Sequence, residues 1–539
     1  MNREETHALY AQGKHAWNAW AEKMLAEKTR LEAAGQWAVE KGRLGLEPKN
    51  DTTRAWLVAA SAIFSSGEDL HTFSGDVDFA GFVFPGDAGF SKATFSGDAG
   101  FDRATFSGNA GFDKATFAGR ARFDRATFSG GARFREATFS GDARFRKATF
   151  SGDAWFIEAT FSGGVRFRGA TFSGDARFRG ATFSGDAWFS EATFSGLARF
   201  NEAAFSGNAG FDKATFSGDA WFIQTRFDGY TMFDGAQFAA DTRFTALTGL
   251  RFFSLRGVTF DTPPDFEQAH FSEAPRLDIT HFRRGHVQPV RFWWSRKPDV
   301  KQKSDPLTGI EETARWRSLK RLASQGHDHE REQLFFAREL QSLRGVTDFP
   351  FRGNAARYWF GCFYELFSDF GRSMLRPLLW WGAFTVLFAG LYLGEHLGRA
   401  GPNAPSSVIV WATGLDVTWR DVQVGTVALP LPALTRAKKA TPLACVVGGA
   451  DGTTPASAAL AASLRKGLLF AGLGDTDKAS QDFACLYGLD RKLMAELGTQ
   501  QIVRLVPDGV ANAGLAQTII STVLMFLFLL ATRNQFRIR

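Results

Sequence analysis

The sequence predicts a mainly β chain built around a β-solenoid, followed by a helical coupler and a two-helix transmembrane hairpin. Three observations carry this. Phe recurs with gaps of 5 and 6 residues, a small residue stands two places before most of these Phe, and two uncharged apolar runs lie in the C-terminal third. Of 539 residues, 56 are Phe and 56 are Gly, far above ordinary globular usage, and 45% hydrophobic content is ample for a core. The formal net charge of +7 is too small to announce a nucleic-acid partner, and three Cys exclude a disulfide-rich scaffold.

Met1 to Leu9 lacks the apolar core of a secretory signal, so the chain is expected to start in the cytosol. Glu4 to about Glu40 consists of helix formers, with Trp17, Trp20 and Leu25 on an apolar side, and Thr53 to Phe64 is also expected to be helical. These stretches define a helical leader over 1–45 and a helical cap over 46–72.

From Phe73 through Phe79, Phe84 and Phe90 to Phe244, 32 consecutive register sites are all Phe. The period is 11, as in Ala148 to Glu158 and Ala181 to Glu191. A right-handed helical coiled coil also has that period, but it needs apolar residues three and four apart and few glycines. The triplet Ala-x-Phe instead reads in, out, in along a short strand, and Ser140 to Asp142 supplies turn chemistry, with Gly tolerating corners. One such strand cannot bury a face alone, so coils must stack.

These residues resemble the pentapeptide-repeat family, whose unit carries a small residue at i−2 and a large apolar residue at i. The resemblance implies a right-handed quadrilateral β-helix. Here alternate units hold one extra residue, so the 5-plus-6 alternation implies about 22 residues per coil. A weaker continuation through Phe260, Phe266, Phe271, Leu277 and Phe282 follows a slip near Gly249, giving a solenoid over 73–292. Nine or ten coils at roughly 4.8 Å each make a rod on the order of 45 Å long.

Outside the rod, Thr94, Thr105, Thr116 and their successors form two ladders, read as strand-favouring residues stacked between coils. The other units vary before Phe. Arg122, Arg144, Arg166 and Trp188 fall in one column, and Arg133, Trp155, Arg177, Arg199 and Trp221 in another. Arg and Trp are enriched in binding hot spots, so the columns are candidate partner-binding surface; the bland alternative is a solvated face with Arg stems over Trp rings. Asp142, Asp153, Asp175 and Asp186 are placed to offset the stacked cations. Some pentapeptide-repeat proteins imitate DNA with an acidic surface and occupy topoisomerases. Between Phe95 and Phe222 stand 16 Lys/Arg against 14 Asp/Glu, the wrong sign for that imitation.

Residues 293–376 form a linker and amphipathic coupler, with Trp316, Leu319, Leu322, Leu334 and Phe335 facing a core between Ile310 and Arg344. His327, Asp328, His329 and Glu330 point to different faces of a helix and read as a solvated turn, not a metal site.

Residues 377–394 and 513–531 are long and apolar enough to cross a bilayer. Arg357, Arg372, Arg376, Arg533, Arg537 and Arg539 flank them on the outer sequence side, against Arg399 and Arg504 on the connecting loop. This favours both termini inside, with a basic tail at 532–539, an inner (plasma) membrane location and a periplasmic or extracellular segment at 395–512. Within that segment Cys445 and Cys485 form a candidate disulfide, whereas Cys362 lies inside. Gly472-Leu473-Gly474-Asp475 resembles the Gly-x-Gly-Asp close of a potassium-channel filter, although Phe470 replaces the family's Thr and Arg465 and Lys466 interrupt the would-be pore helix.

No phosphate loop, nucleophile elbow or dinucleotide fingerprint is present, so neither an enzyme nor a cofactor is expected. The expected function is a non-catalytic, membrane-anchored scaffold of bacterial type whose cytoplasmic solenoid binds a protein partner. The alternative is an oligomeric two-span channel, and more remotely a nucleic-acid or topoisomerase ligand. Non-reducing mass spectrometry of membrane-extracted protein should yield a linked peptide pair holding Cys445 and Cys485; two separate thiols would remove the disulfide.

Overall fold

The computed structural model describes residues 1–42, 45–65, 71–278, 281–282, 309–344, 354–399, 415–424, 427–436, 455–468, 486 and 508–535. They belong to two compact units, Met1–Phe349 and Pro350–Arg539.

In the first unit the chain winds through four parallel sheets, visited in turn, each built from strands mostly two residues long. Face 1 runs from Thr72–Phe73 to His270–Phe271, face 2 from Val77–Asp78 to Phe253–Ser254, face 3 from Val83–Phe84 to His281–Phe282, and face 4 from Ala62–Ser65 to Thr242–Arg243. Among the described residues these hold ten, nine, ten and nine strands, about nine turns of a β-solenoid. From Thr72 onward each described coil takes 22 residues, as Thr105 pairs with Thr127, Phe106 with Phe128, and Ala121 with Ala143, whereas the first, from Ala62 to Ala88, takes 26.

Phe at i and Ala at i−2 both point inward and are essentially fully buried, as in Ala121, Phe123, Ala126 and Phe128. Each ring lies on the ring one coil away. Phe106 and Phe128 are 4.8 Å apart and within 2° of parallel, and Phe112 and Phe134 repeat that geometry. Between columns the rings meet edge to face, as in Phe101 and Phe112 at 5.4 Å. Each buried Phe contributes roughly 1.5–3 kcal/mol by desolvation, and each aromatic pair about 0.5–1.5 kcal/mol more. Ala at i−2 leaves the width that four columns of rings require.

The corners are of two kinds. After faces 2 and 4 the extra residue of the longer unit closes a tight turn, such as Phe123 to Ala126 with Ala126 N–H donating to Phe123 O at 3.1 Å. Its third residue is left-handed, and long side chains occupy it: Arg103, Arg125 and Lys147 have φ of 57°, 59° and 56°. That conformation costs roughly 1–2 kcal/mol per residue and is held by the ladders on either side. The Ser-Gly-x corners beyond Gly75, by contrast, do not use left-handed glycine. Gly152 is needed because a Cβ there would stand 2.5 Å from Gly130 O in the preceding coil, and Gly130 stands likewise over Gly108. The Asp beside it has a structural task, since Asp153 Oδ1 accepts the Asp175 N–H at 3.1 Å and Asp175 Oδ1 accepts the Leu197 N–H at 3.2 Å.

Both ends of the rod are covered. Helices α1 (Arg3–Ala11), α2 (Gly13–Ala33) and α3 (Asp51–Ala60) lie at the first coil. Trp17 stacks on Phe64 at 5.8 Å and donates through Nε1 to Val83 O at 2.8 Å, while Tyr10 stacks on Phe79 at 4.8 Å. The helix expected over Thr53 to Phe64 ends at Ala60. Ala62–Ser65 is a strand pairing with Ala88–Phe90, because Phe64 supplies a ring for Phe90 to stack on at 4.7 Å. At the other end, α4 (Gly309–Gln325) and α5 (His329–Leu343) place Trp316 and Phe335 against Phe282. Arg315 donates to Pro263 O at 3.0 Å and pairs with Asp241 at 2.7 Å. Trp316, Leu319, Leu322 and Phe335 thus continue the solenoid core, so this helical pair is its terminal cap.

The slip expected near Gly249 is absent. Gly249 occupies a Phe site, paired with Phe227 before it and Phe271 after it. The missing ring is replaced by Phe253, which stands at an Ala site and lies 6.0 Å from Phe227 and 5.1 Å from Phe271.

The second unit contains α6 (Ala355–Ser368), α7 (Leu375–Arg399), an antiparallel hairpin of Leu415–Val424 and Val427–Arg436, α8 (Pro455–Leu468) and α9 (Asp508–Gln535). Leu375–Gly394 and Gly509–Arg533 are long and apolar enough to cross a membrane. The helix α8 packs against both α7 and α9. A buried polar network ties the three: Tyr392 Oη donates to Gln517 Oε1 at 2.7 Å, Gln517 Nε2 to Ser463 O at 2.8 Å, and Ser463 Oγ to Thr385 O at 2.7 Å. Cys445, Cys485 and Gly472–Asp475 lie outside the described residues.

Substituting Gly152→Ala should lower stability by about 1–3 kcal/mol, the usual cost of overpacking, whereas the neighbouring exposed Ser151→Ala should stay within about 0.5 kcal/mol of wild type. Thermal unfolding of the detergent-solubilised chain checks this, and equal melting temperatures would contradict the steric role of the glycine column.

Candidate docking surface

The register puts Arg122, Arg144, Arg166 and Trp188 on face 2, and Arg133, Trp155, Arg177, Arg199 and Trp221 on face 4. The chain visits the faces in the order 1, 2, 3, 4, so a Thr face separates the two columns on either side. They are two surfaces, and all nine side chains lie close along the rod.

On face 4 the side chains hold one another. Trp155 is only 8% exposed, with the guanidinium of Arg135 4.5 Å and that of Arg177 5.6 Å from its ring centre. Trp221 sits between Arg199 at 5.0 Å and Arg243 at 5.6 Å. Arg177 also reaches Asp153 at 3.3 Å and Asp175 at 3.0 Å. On face 2, Arg122 pairs with Asp102 at 3.3 Å and Arg166 with Asp142 at 3.4 Å. The Trp188 ring occupies the space over Gly210 of the next coil, where a Cβ would meet Cε3 at 2.5 Å.

An open groove of about 770 Å³ follows the left-handed corner between faces 2 and 3. Six cations line it: Lys14, Arg103, Arg125, Arg146, Lys147 and Arg168. Three of them, Arg103, Arg125 and Lys147, are successive left-handed residues, stacked one per coil. At the next position towards the N-terminus stands Gly81, and there Lys14 of α2 reaches in, its Nζ 2.6 Å from where a Gly81 Cβ would be. The cap helix therefore extends a cation column that the solenoid begins. Of the acids in the groove, Asp124 accepts from Arg146 Nε at 2.9 Å and Glu191 from Arg168 at 3.1 Å. The bond to Asp124 makes the Arg146 guanidinium hold its proton more tightly. Burial raises the Asp102 carboxyl above the usual aspartate range, against the pull of Arg122.

The periodicity exposes the Arg and Trp columns directly. The groove is harder to see, because its cations come from two different offsets in the repeat and from Lys14, far earlier in the chain. The available signal was the pair of residues after each Phe: Asp102-Arg103, Asp124-Arg125, Arg146-Lys147 and Arg168-Gly169.

Stacked coils of buried Phe with small residues at i−2 define a β-solenoid of short tandem repeats. The family of pentapeptide repeats (9 copies) matches residues 79–127, 112–160, 123–171, 156–204 and 200–248. The rod is a pentapeptide-repeat solenoid, and the same chain carries two apolar helices towards its C-terminus. No curated protein and no solved structure matches the chain.

Further along the same corner, burial raises the Asp212 carboxyl above the usual aspartate range, with Asp234 one coil away adding to the shift. An acid raised in the folded state binds its proton more tightly there, so its cost grows as pH rises from the usual aspartate range through the elevated value. Asp212→Asn should therefore raise the melting temperature at neutral pH and leave it unchanged below that range. A difference that persists undiminished in acid would contradict the assignment.

Proposed function

We propose that the protein is a non-catalytic, membrane-anchored scaffold whose cytoplasmic solenoid docks an acidic protein partner. The observation that carries this is the cation column of Lys14, Arg103, Arg125 and Lys147 along an open groove. Stacked like charges repel, and a partner's carboxylates would relieve that repulsion while Arg supplies bidentate hydrogen bonds. Face 2 borders the groove and adds Arg122, Arg144, Arg166 and Trp188. The rod itself is filled with Phe, and helices cover both ends, so its long sides are what it presents. Both termini inside and two spans through an inner membrane fit the Arg distribution, and the two apolar helices supply the anchor.

A second reading has its own support. The helix α8 packs against both candidate spans and is tied to each by a buried hydrogen bond, an arrangement suited to an oligomeric pore. Planar-bilayer recording of purified protein tests it, and absence of conductance would remove it.

For the scaffold, a fluorescent oligoglutamate peptide should bind the full-length protein and dissociate as salt is raised. Arg103→Glu with Arg125→Glu and Lys147→Glu should abolish that binding and empty the cross-linked pull-down from native membranes. Undiminished binding by the triple variant would overturn the groove as the docking site.

A further inference from the structure

In α6 one side is buried, with Gly361, Cys362, Tyr364 and Ser368 turned inward, and the helix packs against α7 and α9. The other side presents Trp359, Phe360, Phe363 and Leu366, which are 42%, 65%, 51% and 45% exposed. Four large apolar side chains on one exposed helix side are a contiguous patch of the kind that soluble surfaces avoid.

The connection to α7 fixes where that patch lies. Asp369, Phe370 and Gly371 are all left-handed, with φ of 51°, 56° and 79°, and they turn the chain sharply. Asp369 N–H donates to Glu365 O at 2.9 Å, and Ser373 Oγ accepts the Arg376 N–H at the start of α7. Phe367 meets Trp380 edge to face at 5.2 Å, and Trp380 Nε1 donates to Leu366 O at 3.3 Å. The patch therefore adjoins the exposed apolar surface of α7, which begins at Leu375 and Leu379 and continues to Val386. At 14 residues α6 is about 21 Å long, too short for a hydrocarbon core of about 30 Å. Exposed Arg357, Arg372 and Arg376 stand around it, suited to phosphate headgroups.

We infer that α6 is an interfacial helix, lying in the bilayer at the boundary between headgroups and acyl chains with Trp359, Phe360, Phe363 and Leu366 immersed in lipid. The inference rests on the membrane placement proposed above, which α7 reports independently. The test uses the full wild-type chain in phosphatidylcholine–phosphatidylglycerol vesicles, photolysed with a diazirine that partitions into acyl chains and mapped by mass spectrometry. Carbene adducts are expected on Phe360, Phe363 and Leu366 as well as on Leu379 and Val386. Adducts on α7 with none on α6 would overturn the interfacial helix while leaving the span intact, as would α6 cross-linked to a second copy of the chain. Absence of adducts from both helices would overturn the membrane placement and the inference with it.

Discussion

Everything regular in this protein depends on one contact: a Phe ring lying parallel on another Phe ring 4.8 Å away, one coil of chain apart. That distance is also the spacing of adjacent β-strands. Ring stacking and backbone hydrogen bonding therefore demand the same repeat, and neither is strained to satisfy the other. Four columns of rings fix the cross-section, Ala at i−2 keeps it narrow, and the 22-residue coil follows.

The corners inherit the constraint. Coils held this close leave no room for a Cβ at the Ser-Gly-x corner, which is why a glycine column such as Gly108, Gly130 and Gly152 stands there. The opposite pair of corners has room, so long side chains occupy left-handed positions and project outward as a column. The surface chemistry is thus a by-product of the core geometry. Whatever residue stands two places after Phe in the longer unit is repeated along one edge of a rigid rod, and in the coils of Arg103, Arg125 and Lys147 that residue is cationic. Individually such exposed charges contribute little to stability, which leaves their type free to serve recognition.

Much of this was legible in the sequence because its period is strict. The Phe register, the inward Ala, the assignment of Arg and Trp to two columns, and both apolar helices follow from spacing and composition. What escaped has physical causes. The strand at Ala62–Ser65 precedes the repeat, and only the ring of Phe64 against Phe90 reveals it. Composition makes α4 and α5 a coupler, whereas Trp316 and Phe335 against Phe282 make them a cap. In the sequence glycine signals turn geometry, but its role at these corners is steric and comes from a coil 22 residues away. The cation column joins Lys14 to residues far along the chain, and no linear pattern contains that proximity.

Gly249 is the sharpest instance. A Phe site without Phe looks like a break in register, yet the register holds because Phe253 brings a ring into the vacant place from an Ala site. Each coil is therefore a fixed ring volume that two positions can fill. A double-mutant cycle tests this most directly. Gly249→Phe alone should clash with Phe271, since a Cβ at 249 already comes within 2.8 Å of its ring, and Phe253→Ala alone should open a cavity costing about 3–5 kcal/mol. The double variant returns a ring to the Phe site at 249 and a small residue to the Ala site at 253, and it should unfold close to wild type, a large favourable coupling between the two sites. Additive losses, with the double variant the least stable of all, would contradict the claim that stacked Phe rings hold the coil in register.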